Sequence, residues 1–212
     1  MKICTLCPRM CAVDRKSGER GICGQTTEIK VARAALHFWE EPCISGEMGS
    51  GAVFFSGCAL HCVFCQNENI ANGTAGKVIS TERLGEIFLE LQEKGANNIN
   101  LVTPGQFVPQ IIKAVELARN QNLKIPIVYN TSSYENVDTI RSLEGIVDIY
   151  LPDFKYFDTA LSAKYSHAPD YPAVAKAVIA EMVRQTGAAV FENGEDSLMK
   201  RGTIVRHLIL PG

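Results

Sequence analysis

The chain has 212 residues, 46% of them hydrophobic and 21% charged, with a formal net charge of −2. That suits one ordinary globular domain with a sizeable core, and it lacks the basic excess of a nucleic-acid surface. No apolar run reaches the length of a membrane span, and Met1-Lys2-Ile3-Cys4 has no signal-peptide core, so a reducing, cytoplasmic setting is expected, where clustered cysteines hold metal rather than disulfides.

Residues 1–50 read as a Cys-rich segment packed on the rest, with little regular periodicity, and they carry five of the eight cysteines. Cys4, Cys7, Cys11 and Cys23 could make a closed tetrahedral zinc site or a four-thiolate iron–sulfur cluster. Their spacing matches neither usual ferredoxin run, and uncoordinated surface thiols are the other reading. Cys43 is unpaired in a loop, and Trp39 reads as a packing anchor.

Beyond Gly51 apolar runs alternate with helical periods. Strands are expected at Val53–Ser56, Ile99–Thr103, Ile125–Asn130, Ile146–Leu151 and Ile204–Leu210. Leu84, Ile87, Phe88 and Leu91 lie on one helical face behind a Thr81 cap. Val108, Ile111, Ile112 and Val115 repeat the pattern, and Val137 with Ile140 suggests a shorter helix. A last helix carries Val174, Ala177, Val178 and Met182, starting near Asp170 and ending by Gly187. Ala188–Glu192 and Leu198–Arg201 flank Asn193-Gly194 as a small hairpin. Strands alternating with helices imply an α/β fold with a parallel sheet.

Chemistry concentrates where the strands end. Val53–Ser56 leads through Gly57 into Cys58-Ala-Leu-His-Cys62-Val-Phe-Cys65, spaced C-x3-C-x2-C. Three thiolates on so short a loop suit an iron–sulfur cluster or zinc. Three is one fewer than a four-iron cluster needs, which leaves a metal position open for chemistry. In parallel sheets sites gather at the C-terminal ends of strands. There the later strands carry Thr103 and Gln106, then Asn130, Thr131 and Ser132, then Asp153 and Lys155, then Arg206. Strand alternation puts Asp153 and Lys155 on one face and Phe154 on the other. It also sets His207 opposite Arg206, where it reads as structural.

With Phe64 in the aromatic place of C-x3-C-x-aromatic-C, the loop resembles the signature of the radical S-adenosylmethionine (SAM) superfamily. The wider run Gly49–Cys58 with Cys65-Gln66-Asn67 looks like its pyruvate formate-lyase-activating-enzyme-like branch. The resemblance implies a partial (β/α)6 barrel over residues 51–212, with the C-terminal part missing after the fifth strand and that strand left as an exposed sheet edge. It implies a [4Fe–4S] cluster on Cys58, Cys62 and Cys65, with SAM on the open iron. SAM would be cleaved reductively to a 5′-deoxyadenosyl radical that abstracts hydrogen. The substrate would be a glycyl-radical enzyme, another protein or a small molecule, and the electron donor a low-potential flavodoxin or ferredoxin. By the same resemblance Phe64 packs near the adenine, and Thr103 and Gln106 stand where the family usually carries Gly-Gly-Glu for the SAM ammonium. Asn130 and Thr131 contact SAM, Asp153 and Lys155 lie beside it, and Arg206 binds the methionine carboxylate. The rival is a metal-binding or electron-transfer protein without SAM turnover, which would have no need of Asp153, Lys155 and Arg206.

Overall fold

The computed structural model describes residues 3–192 and 197–209. Its strands in chain order are β1 (Ile29–His37), β2 (Ser50–Phe55), β3 (Lys77–Ile79), β4 (Ile99–Val102), β5 (Ile127–Thr131), β6 (Ile149–Pro152), β7 (Val190–Phe191) and β8 (Met199–Thr203). The helices are α1 (Pro42–Ser45), α2 (Glu68–Ala71), α3 (Thr81–Glu93), α4 (Val108–Asn120), α5 (Val137–Arg141), α6 (Thr159–Ser166) and α7 (Tyr171–Thr186). The strands form one sheet in the order β3-β1-β2-β4-β5-β6-β8-β7. β2, β4, β5, β6 and β8 run parallel. β1 is antiparallel to both β2 and β3, and β7 is antiparallel to β8. The fold is therefore α/β with a mostly parallel sheet, as the alternation implied.

The two faces of the sheet follow the period of two. Val53, Phe55, Ile99, Leu101, Ile127 and Tyr129 face the helices, where Leu84, Phe88, Ile111, Val115, Ile140 and Val178 close the main core. The opposite face carries Val128, Ile149 and Leu151, capped by Ile44 of α1 and by Met199. Asn98 and Asn97 fix that plug by donating to the carbonyls of Ile44 (2.8 Å) and Ser45 (2.7 Å). Beyond the plug the same inward rows continue as Phe54, Val102, Asn130 and Asp153, which line an open cleft.

Several expectations change. β1 lies inside the segment read as irregular, and it pairs with β2 across the boundary expected at residue 50. Its alternation is broken by a register shift between Val31 and Arg33, so the period of two lasts only from Ile29 to Val31. α3 is capped by Ser80, whose Oγ accepts from the Arg83 N–H (3.1 Å), rather than by Thr81. α6 has no apolar stripe, because its buried positions are Ser162 and Ser166. α7 begins after Asp170 and ends at Gly187 as read.

The fifth parallel strand is Met199–Thr203 rather than Ile204–Leu210. One segment serves both as the hairpin arm and as the last parallel strand, because β8 pairs with β7 on one side and β6 on the other. The expected sheet edge is thus covered by β7 along Met199–Arg201. Past Thr203 the pairing goes on irregularly, with the Ile204 and Arg206 N–H groups donating to Tyr150 and Pro152 (both 2.9 Å). The turn at Asn193-Gly194 and the end of the expected strand at Leu210 lie outside the described residues. Trp39 anchors nothing: it is 89% exposed. Among the described residues no helix is long and apolar enough to cross a membrane.

Candidate active site

The loop between β2 and α2 carries Cys58, Cys62 and Cys65, and all eight cysteines are free thiols. Gly57 starts the loop at φ +88, and a Cβ there would stand 2.4 Å from the Cys23 carbonyl oxygen. Only glycine allows so close a backbone approach in this conformation. Arg9, from the N-terminal segment, clamps the loop from outside. Its Nε donates to the Ala59 carbonyl (2.8 Å) and its Nη2 to that of Ser166 (2.9 Å), and the guanidinium stacks 5.0 Å from the Tyr134 ring centroid. His61 Nε2 meets the Ile22 carbonyl at 2.9 Å. The Leu60 N–H donates to Cys58 Sγ (3.4 Å) and the Ser166 hydroxyl to Cys62 Sγ (3.0 Å). Burial pushes the Cys58 thiol up, against the N–H groups of Leu60 and His61 that pull it down.

All three thiols line a cleft of about 720 Å³ at the C-terminal ends of the parallel strands. Phe64, Thr103, Asn130, Thr131, Asp153, Lys155 and Arg206 line it too. Thr103 leaves β4 at φ +55, an unusual conformation for a β-branched residue that costs on the order of 1–3 kcal/mol. Asp153 Oδ2 accepts from Lys155 Nζ (2.7 Å) and its Oδ1 from Arg206 Nε (2.8 Å). Arg206 Nη2 donates to Asn130 Oδ1 (2.7 Å). The buried Tyr171 hydroxyl supports this rim by accepting from the Lys155 N–H and donating towards the Asp153 carbonyl, both at 2.8 Å. Phe154 turns the other way, into a cluster with Tyr156 and Tyr171. His207 borders the cleft, but its ring packs beside that of Phe154 and its Nδ1 meets the Phe154 carbonyl.

Two expected positions lie elsewhere. Gln106 sits behind the cleft, with Nε2 donating to the carbonyls of Ser56 (2.9 Å), Gly57 (3.0 Å) and Thr103 (2.9 Å). Cys4, Cys7, Cys11 and Cys23 line a separate cavity of about 40 Å³. Among the described residues no group of three His, Cys, Asp or Glu side chains is arranged to hold a single metal ion.

The sequence reading passed over Glu40 and Glu41. Arg206 Nη1 reaches Glu40 at 3.4 Å and Glu41 at 3.7 Å. Burial raises the Glu40 carboxyl to about 7, with Arg206 pulling it down and Glu41 pushing it up. Neither acid falls in a periodic element or a motif; the Glu-Glu-Pro run just before α1 was the only signal.

The donor set suits the iron–sulfur group the sequence implied. Three thiols on one loop face an open cleft with a charged rim. The model of the radical SAM superfamily matches residues 52–185, more than half of the chain, and the chain belongs to that superfamily. A curated relative, the uncharacterized protein MJ0674 of Methanocaldococcus jannaschii, is 27% identical over 99% of this chain. The chain spans 57% of that relative's length.

Proposed function

We propose that this chain is a radical SAM enzyme of the activating-enzyme-like kind, which takes a hydrogen atom from a glycine of a partner protein. The observation that carries the SAM part is the convergence of three thiols and the Asp153–Lys155–Arg206 rim on one cleft. Cys58, Cys62 and Cys65 would hold a [4Fe–4S] cluster, which would supply the one-electron chemistry for reductive cleavage of SAM. The chain's own residues bind and orient. Arg206 and Lys155 present cationic donors to the methionine carboxylate, and Asp153 accepts from the ammonium or a ribose hydroxyl. Asn130, Thr103 and Thr131 offer neutral polar contacts. Phe54, Leu60 and Phe64 form an apolar wall that keeps water from the adenosyl side.

The partner reading rests on the run Gly49–Cys58 and on Cys65-Gln66-Asn67. It is supported by the cleft's border, where Trp39 and Ile209, 89% and 86% exposed, adjoin the lining residues Glu40 and Leu208. Exposed apolar residues beside a cleft suit a protein surface. A low-potential flavodoxin or ferredoxin fits as donor. The test is anaerobic reconstitution with iron and sulfide, followed by dithionite, SAM and an assay for 5′-deoxyadenosine. The intact chain should form it, and the Cys58→Ala/Cys62→Ala/Cys65→Ala variant should not. A fully loaded intact chain that leaves SAM uncleaved would overturn the reading.

A further inference from the structure

The function above makes no use of the cavity behind the cleft. Cys4, Cys7, Cys11 and Cys23 all line it, and its volume of about 40 Å³ exceeds what a single water needs. The backbone around it is folded towards sulfur. The Ile22 N–H donates to Cys11 Sγ at 3.3 Å. The Leu60 N–H serves Cys58 in the same way. Left-handed residues shape these turns, Met10 (φ 42) and Gly24 (φ 72), as His61 (φ 51) shapes the loop of Cys58. Amide N–H groups aimed at sulfur favour the thiolate and tune bound clusters.

A second observation points to an anionic occupant. Arg15 is 5% exposed. Its guanidinium donates to the carbonyls of Gln25 (3.1 Å), Gln106 (2.8 Å) and Thr26, and stands 3.9 Å from Cys4 Sγ. None of these partners carries a full negative charge, and a buried charge normally has a counter-charge. Four thiolates on a metal centre would supply one.

We propose that Cys4, Cys7, Cys11 and Cys23 hold a second [4Fe–4S] cluster, closed by four thiolates and balanced by Arg15. A single zinc ion needs all four sulfurs drawn to about 2.3 Å from one point, whereas these thiols line a cavity of about 40 Å³. The thiols instead surround a space, as Cys58, Cys62 and Cys65 do. The two sites are neighbours, because Cys58, Thr103, Thr131 and Ser132 line both cavities. This goes beyond the SAM reading and can fail without it.

The test supplies iron, sulfide and zinc together, anaerobically, to the Cys58→Ala/Cys62→Ala/Cys65→Ala variant of the full chain. About four iron and four sulfide per folded chain are expected, with an electron paramagnetic resonance signal after reduction. Zinc in place of iron, or a folded variant without metal, overturns the proposal. If that variant does not fold, the intact chain carries the test. It should hold about eight iron, falling to about four in Cys11→Ala/Cys23→Ala. Reduced spectra of the intact chain should show magnetic coupling that either variant abolishes. An intact chain with about four iron and no coupling overturns it as well. Arg15→Gln should keep the iron and lower the second cluster's reduction potential; an unchanged potential removes Arg15 from the site.

Discussion

Arg9 ties the cysteine loop to the C-terminal end of α6, since its guanidinium bridges Ala59 to Ser166. Arg9→Ala leaves those carbonyls without their charged donor, and should cost about 1.5–3 kcal/mol of stability, read from denaturant midpoints. Arg206→Ala should weaken SAM binding by a similar amount, about 1.5–3 kcal/mol, by calorimetry on the reconstituted chain; unchanged affinity would take Arg206 out of the pocket. Glu40 carries a pH signature. Unfolded, it ionises near its ordinary value of 4.5; folded, burial holds its proton up to about 7. Between those values the folded chain keeps a proton that the unfolded chain has lost. Stability should therefore fall as pH rises from about 4.5 to about 7, then level off. Glu40→Gln should flatten that part of the profile, and an unchanged slope would assign the effect to another group. Asp153 and Lys155 were legible because a strand's period of two places them without further knowledge. Arg9 and Glu40 were not, because their partners lie 50 to 166 positions away in sequence and no local period marks them.

β2 and the helix packed behind it set the position of the cysteine loop. Phe88 of α3 is fully buried in the main core. Phe88→Ala should cost about 3–5 kcal/mol, measured by unfolding. The stripes of α3 and α4 were read correctly because the 3.6-residue period survives intact in them, whereas in α7 the buried stripe runs through Ala175, Val178 and Met182 and the expected Ala177 is exposed. β1 was missed because a bulge breaks its alternation after Val31. β8 was displaced because it is short and polar: Met199 and Gly202 are its buried residues, while the apolar run after it, Ile204 to Ile209, is mostly exposed. Hydrophobicity alone pointed to the wrong half of that segment. Backbone pairing with β6 decided it.

The described residues form a mostly parallel sheet whose inner face is plugged at one end by Ile44 and open at the other. The parallel strands β2, β4, β5 and β6 contribute to the open end in the same way, through Phe54, Val102, Asn130 and, just past β6, Asp153. That arrangement followed from the strand count and the cysteine spacing, whereas the second cavity did not, because its walls come from the N-terminal loops and from Gln106 and Glu135 at once. The central claim is that Cys58, Cys62 and Cys65 hold a cluster whose open iron meets SAM in the cleft. Electron paramagnetic resonance of the reduced, reconstituted chain, with and without SAM, tests it most directly. The account predicts that SAM shifts part of the signal, and that this part is missing from the Cys58→Ala/Cys62→Ala/Cys65→Ala variant. A spectrum that SAM leaves unchanged, or a SAM-responsive signal that survives in the variant, would contradict it.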